Sequence, residues 1–220
     1  MSFDRLARVY EPFELLILGR ALQRCRTAFL SRTKNARRAL ICGEGDGRFI
    51  EAFLRVNPAV RVDCVDASAA MIATAKARLA RGGLKHQEHV SFHHADALSW
   101  QPIDCDYDLI VTHFFLDCFE PADARKLVAR IVGASVPGAT WLIAEFNIPG
   151  RGLLRWRAEL WVRFLYLIFG IITGITPRRL PDLKSVFTQS GLALEAERQT
   201  AGGLLVSRVW RRPEKINPRV

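Results

Sequence analysis

The sequence has few of the features that mark secreted or metal-binding proteins. None of its five cysteines forms a Cys-x-x-Cys pair, so buried thiols in a reducing compartment fit better than disulfides or a zinc site. The first 20 residues carry acids and arginines instead of an uninterrupted apolar stretch, so we expect no signal peptide. We therefore expect a cytoplasmic protein without a metal ion.

No uncharged stretch that we identify is long enough to cross a bilayer. The most apolar one, residues 164–177, would span about 21 Å as a helix, short of the hydrocarbon core of about 30 Å. We interpret residues 149–182, which contain it, as a basic and apolar helical insertion. It is expected to form either a buried helix or a lid over a bound molecule.

Negative charge is scarce at both ends of the chain. The net charge of +10 divides into +6 over residues 1–38, −4 over 39–148, +4 over 149–183 and +4 over 208–220. A uniformly basic chain would indicate nucleic acid, whereas basic flanks around an acidic centre also fit an anionic surface or substrate.

Strand and helix patterns alternate from residue 38 onward. Five short apolar runs alternate with helical patterns, and two late strands are joined by only a few residues, which predicts an antiparallel hairpin. The expected fold is α/β, a Rossmann-like doubly wound sheet of seven mostly parallel strands ending in that hairpin. The expected strands are 38–42, 60–66, 90–96, 107–114, 139–146, 192–199 and 203–210. The expected units are a helical cap (1–36), a core (37–148), the insertion (149–182) and a closing helix and hairpin (183–220).

Three glycines, Gly43, Gly45 and Gly47, follow the first strand at a spacing of two. In a doubly wound sheet, ligands bind beyond the carboxyl ends of the strands, and glycine lets the backbone approach them closely. The dinucleotide fingerprint has the different spacing GxGxxG. Glu44 and Asp46 would repel a pyrophosphate, so the loop favours a cationic or zwitterionic ligand.

Two acids end the next two strands. Asp66 is the last residue of the second strand, where a carboxylate can accept both hydroxyls of a ribose. Asp96 follows the third strand, where an acid can accept a hydrogen bond from an adenine amino group.

With these motifs the chain resembles the class I S-adenosylmethionine (SAM)-dependent methyltransferases. The matching stretches are ICGEGDGRF, VDASAAMIATAK, HHADAL, YDLIVTHFFLDCF and PGATWLIAEF. The resemblance implies SAM as cofactor, S-adenosylhomocysteine as product and no metal. One departure is Ile41, where the family usually has an acid. The cofactor-binding residues that it implies are Tyr10, Gly43, Glu44, Gly45, Gly47, Asp66, Ala67, Met71, Asp96, Ala97 and Thr112.

A narrower resemblance is to the ubiquinone/menaquinone C-methyltransferases and their small-molecule relatives. It is carried by FDRLARVYEPF and WLIAEFNIPG. It implies that Tyr10 closes over the cofactor and that Glu145 and Phe146 lie beside the acceptor.

Three residues are candidates for catalysis: His113, Asp117 and Glu145. His113 ends the fourth strand and would act as a base or acceptor ligand, or else as a packing histidine with a pKa of about 6.5. Asp117 would orient His113 or be a solvated carboxylate, and Glu145 would act on the acceptor or pair with an arginine. We interpret His93 and His94 as structural. Aromatic residues that would line an acceptor pocket, or belong to the core, are Phe114, Phe115, Trp161 and Tyr166.

Three functions fit these observations. The first is methyl transfer to a small lipophilic acceptor such as a quinone, phenol or lipid, with the flanking arginines at an anionic membrane surface. The second is RNA or protein methylation, which the basic flanks favour; nucleic acid is disfavoured because residues 112–115 read THFF where amino-methylating enzymes have Asn/Asp-Pro-Pro-aromatic. The third is a non-catalytic SAM-binding subunit, which Ile41 leaves open.

Overall fold

The computed structural model describes residues 19–83, 89–102, 104–147 and 182–214. Tyr10, Trp161 and Tyr166 lie outside these residues, as do the first half of the predicted cap and all but the last residue of the predicted insertion. Their roles stay predictions.

Seven strands form one sheet in the order β3-β2-β1-β4-β5-β7-β6, which confirms the predicted fold class. β1 to β5 pair in parallel, and β7 lies antiparallel between β5 and β6. The strands are β1 Arg38–Cys42, β2 Arg61–Asp66, β3 Val90–His94, β4 Tyr107–His113, β5 Ser135–Phe146, β6 Ala193–Thr200 and β7 Leu205–Arg211.

Five α-helices accompany the sheet within the described ranges: α1 Gly19–Arg26, α2 Arg48–Val56, α3 Ala69–Arg81, α4 Pro121–Ala134 and α5 Leu183–Gln189. Ser68 caps α3 as predicted, since its hydroxyl accepts a hydrogen bond from the Met71 amide at 3.2 Å. Pro121 opens α4, where its missing N–H costs nothing. None of the helices in the described part of the chain is long and apolar enough to traverse a bilayer.

β5 begins four residues earlier than the sequence predicts. Pro137 and Gly138 indicate a turn, but α4 leads into the strand at Ser135 without a loop. Gly138 has a φ of +77° and still donates its amide to the Arg212 carbonyl at 2.9 Å, which continues the pairing with the chain after β7.

The central strands of the sheet are buried on both faces, whereas the edge strand β6 is mostly exposed. α2 and α3 cover one face through a cluster that includes Ile41, Phe53 and Leu79, while α4 and α5 cover the other around Trp141 and Phe187. This two-sided burial explains the nearly continuous apolar runs of the central strands.

The cap helix α1 is attached to the last strand. Cys25 is buried, its thiol lies 3.0 Å from the Ser207 hydroxyl, and that hydroxyl donates to the Cys25 carbonyl at 2.7 Å. Cys42 and Cys64 are also buried, as predicted for thiols of the core. The prediction of buried thiols is wrong for Cys105, which is exposed in the loop before β4.

Candidate active site

The candidate site lies where the strand order reverses. β1 and β4 are neighbours, yet the chain leaves β1 for β2 on one side and reaches β5 from β4 on the other. The carboxyl ends of the parallel strands open a crevice at such a point, where α/β proteins bind ligands. The glycine loop follows β1, and Asp66 and His113 are the last residues of β2 and β4.

The three loop glycines differ in their surroundings. All three have a φ between +67° and +84°, a conformation that disfavours a side chain. A Cβ at Gly43 would collide with the Phe115 ring, and one at Gly47 would come within 2.8 Å of the Ala75 Cα in α3. At Gly45 it would meet nothing within 4 Å, so this residue faces open space.

The two loop acids are engaged inside the protein, which corrects the electrostatic argument made from the sequence. Asp46 pairs with Arg48 at 2.7 Å and with Arg78 at 3.1 Å. Glu44 is buried and accepts hydrogen bonds from the Phe49 and Ile50 amides, both at 3.0 Å. A carboxyl is favourable there because the first turn of a helix leaves amide donors unpaired.

Glu44 holds its proton to unusually high pH. Burial raises its pKa to about 8, although the Ile50 amide, the charge of Arg26 and the Phe49 amide all lower it. Glu44 therefore supports the first turn of α2, and it contributes little negative charge to the crevice at neutral pH.

Asp66 lies beside the open position, as the ribose prediction requires. Its carboxylate accepts hydrogen bonds from the Gly45 amide at 3.2 Å and the Ser68 amide at 2.9 Å. Burial raises its pKa, while these two amides and His94 lower it. Each carboxylate oxygen has a second lone pair for a further donor.

Asp96 is exposed in the turn after β3, and one of its oxygens accepts from the Leu98 amide at 2.9 Å. Ala97 is buried next to it. Arg130 of α4 fixes this turn, because one guanidinium nitrogen donates to the carbonyls of Ala97, Leu98 and Trp100 at 2.8–3.0 Å. Sequence reasoning missed Arg130, since its partners lie about 30 residues away.

Three other predicted cofactor residues have backbone or packing roles. Ala67 offers its carbonyl to His94 at 3.2 Å, and Met71 gives its amide to the Ser68 cap. The Thr112 hydroxyl is buried and accepts from the Trp141 indole at 2.9 Å, so it holds two neighbouring strands together. His93 is structural as predicted, with Nε2 2.9 Å from the Asp63 carboxylate.

His113 is buried at the end of β4, with its ring edge-on to Phe49 at 4.6 Å between centroids. Its Nδ1 is buried and has no hydrogen-bond partner. Burial, together with the charge of Arg26, lowers its pKa to about 3, so the imidazole is neutral at physiological pH. The expected pKa of about 6.5 is therefore wrong, and a base this weak is poorly matched to neutral pH.

Asp117 does not orient His113. Both side chains lie in the described part of the chain, and no hydrogen bond joins them; the Asp117 carboxylate instead accepts from the Cys118 thiol at 3.9 Å. The carboxylate is buried in a 3-10 turn, Leu116–Cys118, so a solvated Asp117 is also excluded. Burial raises its pKa to about 6, although its own amide and the Cys118 thiol lower it.

Glu145 pairs with an arginine, which was the alternative to a catalytic role. It forms a buried ion pair with Arg208 of β7, which also donates to Glu197 of β6 at 2.7 Å. The three side chains link adjacent strands across the sheet. The sequence gives no signal for this pairing because Arg208 lies 63 residues away.

Phe114 and Phe115 follow β4 and lie on opposite sides of its end. Phe114 has a φ of +51°, and its ring lies 5.1 Å from that of Phe146. The Phe115 ring lies against Gly43 and 5.0 Å from the Phe119 ring. A left-handed backbone in a phenylalanine is strained, and such strain concentrates at functional sites.

Arg26 is a further residue of the site that sequence reasoning missed. It is the last residue of α1, and its guanidinium carbon lies 5.4 Å from the centre of the Phe114 ring. Its charge lowers the pKa of both Glu44 and His113. The arginines of α1 alone give no reason to single it out.

Comparison with known proteins identifies the fold. Residues 39–138 match a family model described as a methyltransferase domain. The structure superposes on the mitomycin 7-O-methyltransferase MmcR with a TM-score of 0.71 and 19% identity, over 96% of this chain and 61% of that one. The fold is that of the class I methyltransferases.

Two other solved structures share this methyltransferase fold. An O-methyltransferase family protein from Burkholderia thailandensis has a TM-score of 0.68 and 16% identity, over 95% of this chain and 60% of that one. The N-methyltransferase NodS from Bradyrhizobium japonicum WM9, in complex with S-adenosyl-L-homocysteine, has a TM-score of 0.62 and 19% identity, over 88% of each chain.

The resemblance that the motifs carry to class I methyltransferases is thus confirmed, while the narrower one to quinone C-methyltransferases stays a prediction. The chain spans about 60% of the length of the O-methyltransferases named above. No curated protein sequence matches it. In the part of the chain that the structure describes, no group of three or more His, Cys, Asp or Glu residues is placed to hold a metal ion.

Proposed function

We propose that the protein is a SAM-dependent methyltransferase that acts on a small lipophilic acceptor. The observation that carries the proposal is the open position at Gly45, with the Asp66 carboxylate beside it at the switch point of a methyltransferase fold. Methyl transfer is supported by the solved neighbours named above, which are described as O- and N-methyltransferases.

The residues fit the cofactor. Asp66 would accept the ribose hydroxyls, and the exposed Asp96 would accept the adenine amino group on a turn that Arg130 fixes. When bound, SAM supplies an electrophilic methyl group on its sulfonium. The protein would then mainly orient the acceptor and exclude water, a role that we propose for Phe114 and Phe115.

The test is calorimetric titration with SAM and with S-adenosylhomocysteine. We expect micromolar binding by the wild type and a loss of at least about 10-fold in Asp66→Ala, because charge-assisted hydrogen bonds to the ribose disappear. Asp106→Ala is the control, since Asp106 is exposed at the opposite end of β4. A folded wild type that binds neither ligand contradicts the proposal, and binding without methylation of any acceptor favours the non-catalytic subunit.

A lipophilic acceptor agrees with the apolar side chains around the strand ends. The described residues Phe114, Phe115, Phe119 and Phe146 lie in two contacting pairs there. The acceptor class is tested by measuring methyl uptake from labelled SAM by quinones, phenols and lipids in parallel. Methylation of RNA or protein in the same assay, with none of the small molecules, would favour the second function.

Asp117 is the group we propose as proton acceptor, in place of His113. Its pKa of about 6 suits a base near neutral pH, whereas the His113 pKa of about 3 does not. With an acceptor that must lose a proton, kcat/KM should rise through a pH of about 6. Asp117→Asn should abolish that inflection and leave S-adenosylhomocysteine binding unchanged, and an inflection that survives the substitution would exclude the role.

Contact with an anionic membrane is proposed through residues 19–38. This segment contains seven arginines and lysines and no acid.

Vesicles with phosphatidylglycerol should sediment the wild type better than neutral vesicles do, and the double variant Arg20→Glu/Arg24→Glu should abolish the difference. Arg81→Glu, at the exposed end of α3, is the control. Equal sedimentation by both vesicles, or selective RNA binding, would contradict membrane contact. The exposed basic residues of the segment are Arg20, Arg24, Arg32, Lys34 and Arg37.

A further inference from the structure

His113 is the last side chain of β4 on the face that α2 covers. Val111, two residues earlier on the same face, belongs to the core cluster that contains Ile41 and Phe49. The His113 ring lies edge-on to Phe49, with 4.6 Å between the ring centroids. The imidazole therefore lies directly beyond the core, at the carboxyl end of β4, which is where the crevice begins.

The imidazole is buried without a partner for its inner nitrogen. Only 8% of His113 is exposed, and its Nδ1 is buried and has no hydrogen-bond partner. Thr112 and Glu44, which are also buried at these strand ends, are both paired: the first accepts from the Trp141 indole, and the second accepts from two backbone amides. A buried polar group without a partner is costly, and a functional role is one reason for a protein to keep it.

The two ring nitrogens of His113 are not equivalent. The ring is neutral at physiological pH, so one nitrogen is a hydrogen-bond donor and the other an acceptor. A proton on Nδ1 would leave an orphaned N–H in the core, which proteins rarely contain. We therefore assign the proton to Nε2, at the end of the ring away from the backbone. This N–H is the group of His113 that a molecule in the crevice would meet.

His113 lies on the acceptor side of the crevice. The cofactor residues proposed above lie in the glycine loop and at Asp66 and Asp96, which are at the ends of β1, β2 and β3. β4 lies on the other side of β1 from β2 and β3. His113 also directly precedes Phe114, for which we propose a role in orienting the acceptor.

We propose that His113 is a specificity-determining residue that donates a hydrogen bond from Nε2 to an oxygen atom of the methyl acceptor, such as a phenolic or carbonyl oxygen. The proposal rests on the proposed function. An apolar molecule of the same shape would leave the imidazole unpaired, so the site should prefer an aromatic compound that carries oxygen. The other oxygen that this N–H could meet belongs to the cofactor, and the experiment distinguishes the two.

The experiment compares 2-naphthol with 2-methylnaphthalene, which have the same ring system and differ by a hydroxyl in place of a methyl group. Both are titrated in the presence of saturating S-adenosylhomocysteine, which is also titrated alone. The wild type should bind 2-naphthol about 5- to 20-fold more tightly than 2-methylnaphthalene. His113→Leu should bind the two probes about equally and should bind S-adenosylhomocysteine within about twofold of the wild type.

Two amide variants test which nitrogen donates. The side-chain amide of a glutamine reaches about as far as Nε2 of a histidine, whereas that of an asparagine reaches only as far as Nδ1. His113→Gln should therefore keep most of the preference for 2-naphthol, and His113→Asn should lose it. The reverse order would contradict the assignment to Nε2.

Stability separates this role from simple packing. His113→Leu removes an unpaired polar atom, so it should unfold at a urea concentration no lower than the wild type does. His93→Leu is the matched control, because the His93 Nε2 is paired with the Asp63 carboxylate at 2.9 Å. This control should unfold at a lower urea concentration and keep the preference for 2-naphthol. A less stable His113→Leu that loses affinity equally for both probes would identify a packing histidine and overturn the proposal.

The remaining outcomes separate the ligands. Weaker binding of S-adenosylhomocysteine by His113→Leu, with the preference for 2-naphthol kept, would assign Nε2 to the cofactor and overturn the proposal. A wild type that binds 2-naphthol no better than 2-methylnaphthalene also overturns it. A folded wild type that does not bind S-adenosylhomocysteine overturns the proposed function itself, and the role of His113 with it.

Discussion

His113 and Asp117 lie four residues apart and are both buried, yet burial moves their pKa values in opposite directions. The reason is that burial penalises the charged form, which is the protonated state of a histidine and the deprotonated state of an aspartate. The sequence places His113 at the end of β4 and Asp117 shortly after it, but it could not predict these shifts, because burial depends on Phe49 and other residues far along the chain.

The imidazole of His113 should stay neutral well below pH 6. Histidine NMR shifts followed between pH 8 and pH 4 should show one ring without a titration step, because its pKa is about 3. The spectrum of His113→Gln assigns that ring by the loss of its signals. A His113 signal that titrates near pH 6.5 would show that the ring is accessible to solvent.

The strained backbone of Phe114 makes a second prediction. Glycine normally destabilises a protein relative to alanine by about 0.5–1 kcal/mol, but at a positive φ the order reverses. Urea unfolding should find Phe114→Gly about 1 kcal/mol more stable than Phe114→Ala, since both lose the ring and only glycine is unstrained. At Phe146, which has no positive φ, alanine should be the more stable. The same order at both positions would refute the strain.

At the scale of elements, the strand ends and the turn into α2 carry the site, and much of this was predictable. The three glycines, the Ser68 cap and Asp66 follow from turn chemistry and strand order, which are local or nearly so. The links between elements were not predictable. Arg130 to the turn after β3, Arg208 to Glu145 and Arg26 to Phe114 all join residues between 30 and 90 positions apart.

The glycine loop predicts two separable effects of alanine. Gly45→Ala should cost about 1 kcal/mol of stability from its φ alone, and should weaken S-adenosylhomocysteine binding because the new methyl group enters the open position. Gly47→Ala should cost more than about 2 kcal/mol, because its Cβ would also come within 2.8 Å of the Ala75 Cα. Urea unfolding and calorimetry on both variants measure the two effects. Equal losses of stability would contradict the close packing of the loop on α3.

For the whole molecule, the α/β class, the seven strands and the closing hairpin follow from periodicity and loop length. Two features of β7 do not follow from the sequence pattern: its position between β5 and β6, and its register against β5. The register depends on pairs such as Trp141 with Trp210, which no local pattern reports. The protonation of Glu44 also concerns the whole molecule, because it is coupled to folding.

The stability of the protein should depend on the proton of Glu44. The folded state holds it to a pH of about 8, while the unfolded chain releases it near 4.5, so the contribution of Glu44 to stability is lost as the pH rises between these values. Relative to Glu44→Gln, the wild type should lose on the order of 3 kcal/mol of unfolding free energy between pH 4.5 and pH 8. Urea unfolding of both proteins across this range measures the difference. A constant difference would show that Glu44 has an ordinary pKa.

The position of β7 has a consequence for how the chain is made. During synthesis β5 and β6 leave the ribosome before residues 205–211, so for a time each has an open edge where β7 will pair. α1, although made first, also waits for β7, because Ser207 is its anchor. The sheet therefore closes only after translation has passed residue 211, and a nascent chain stalled before that point would present two unpaired strand edges to chaperones.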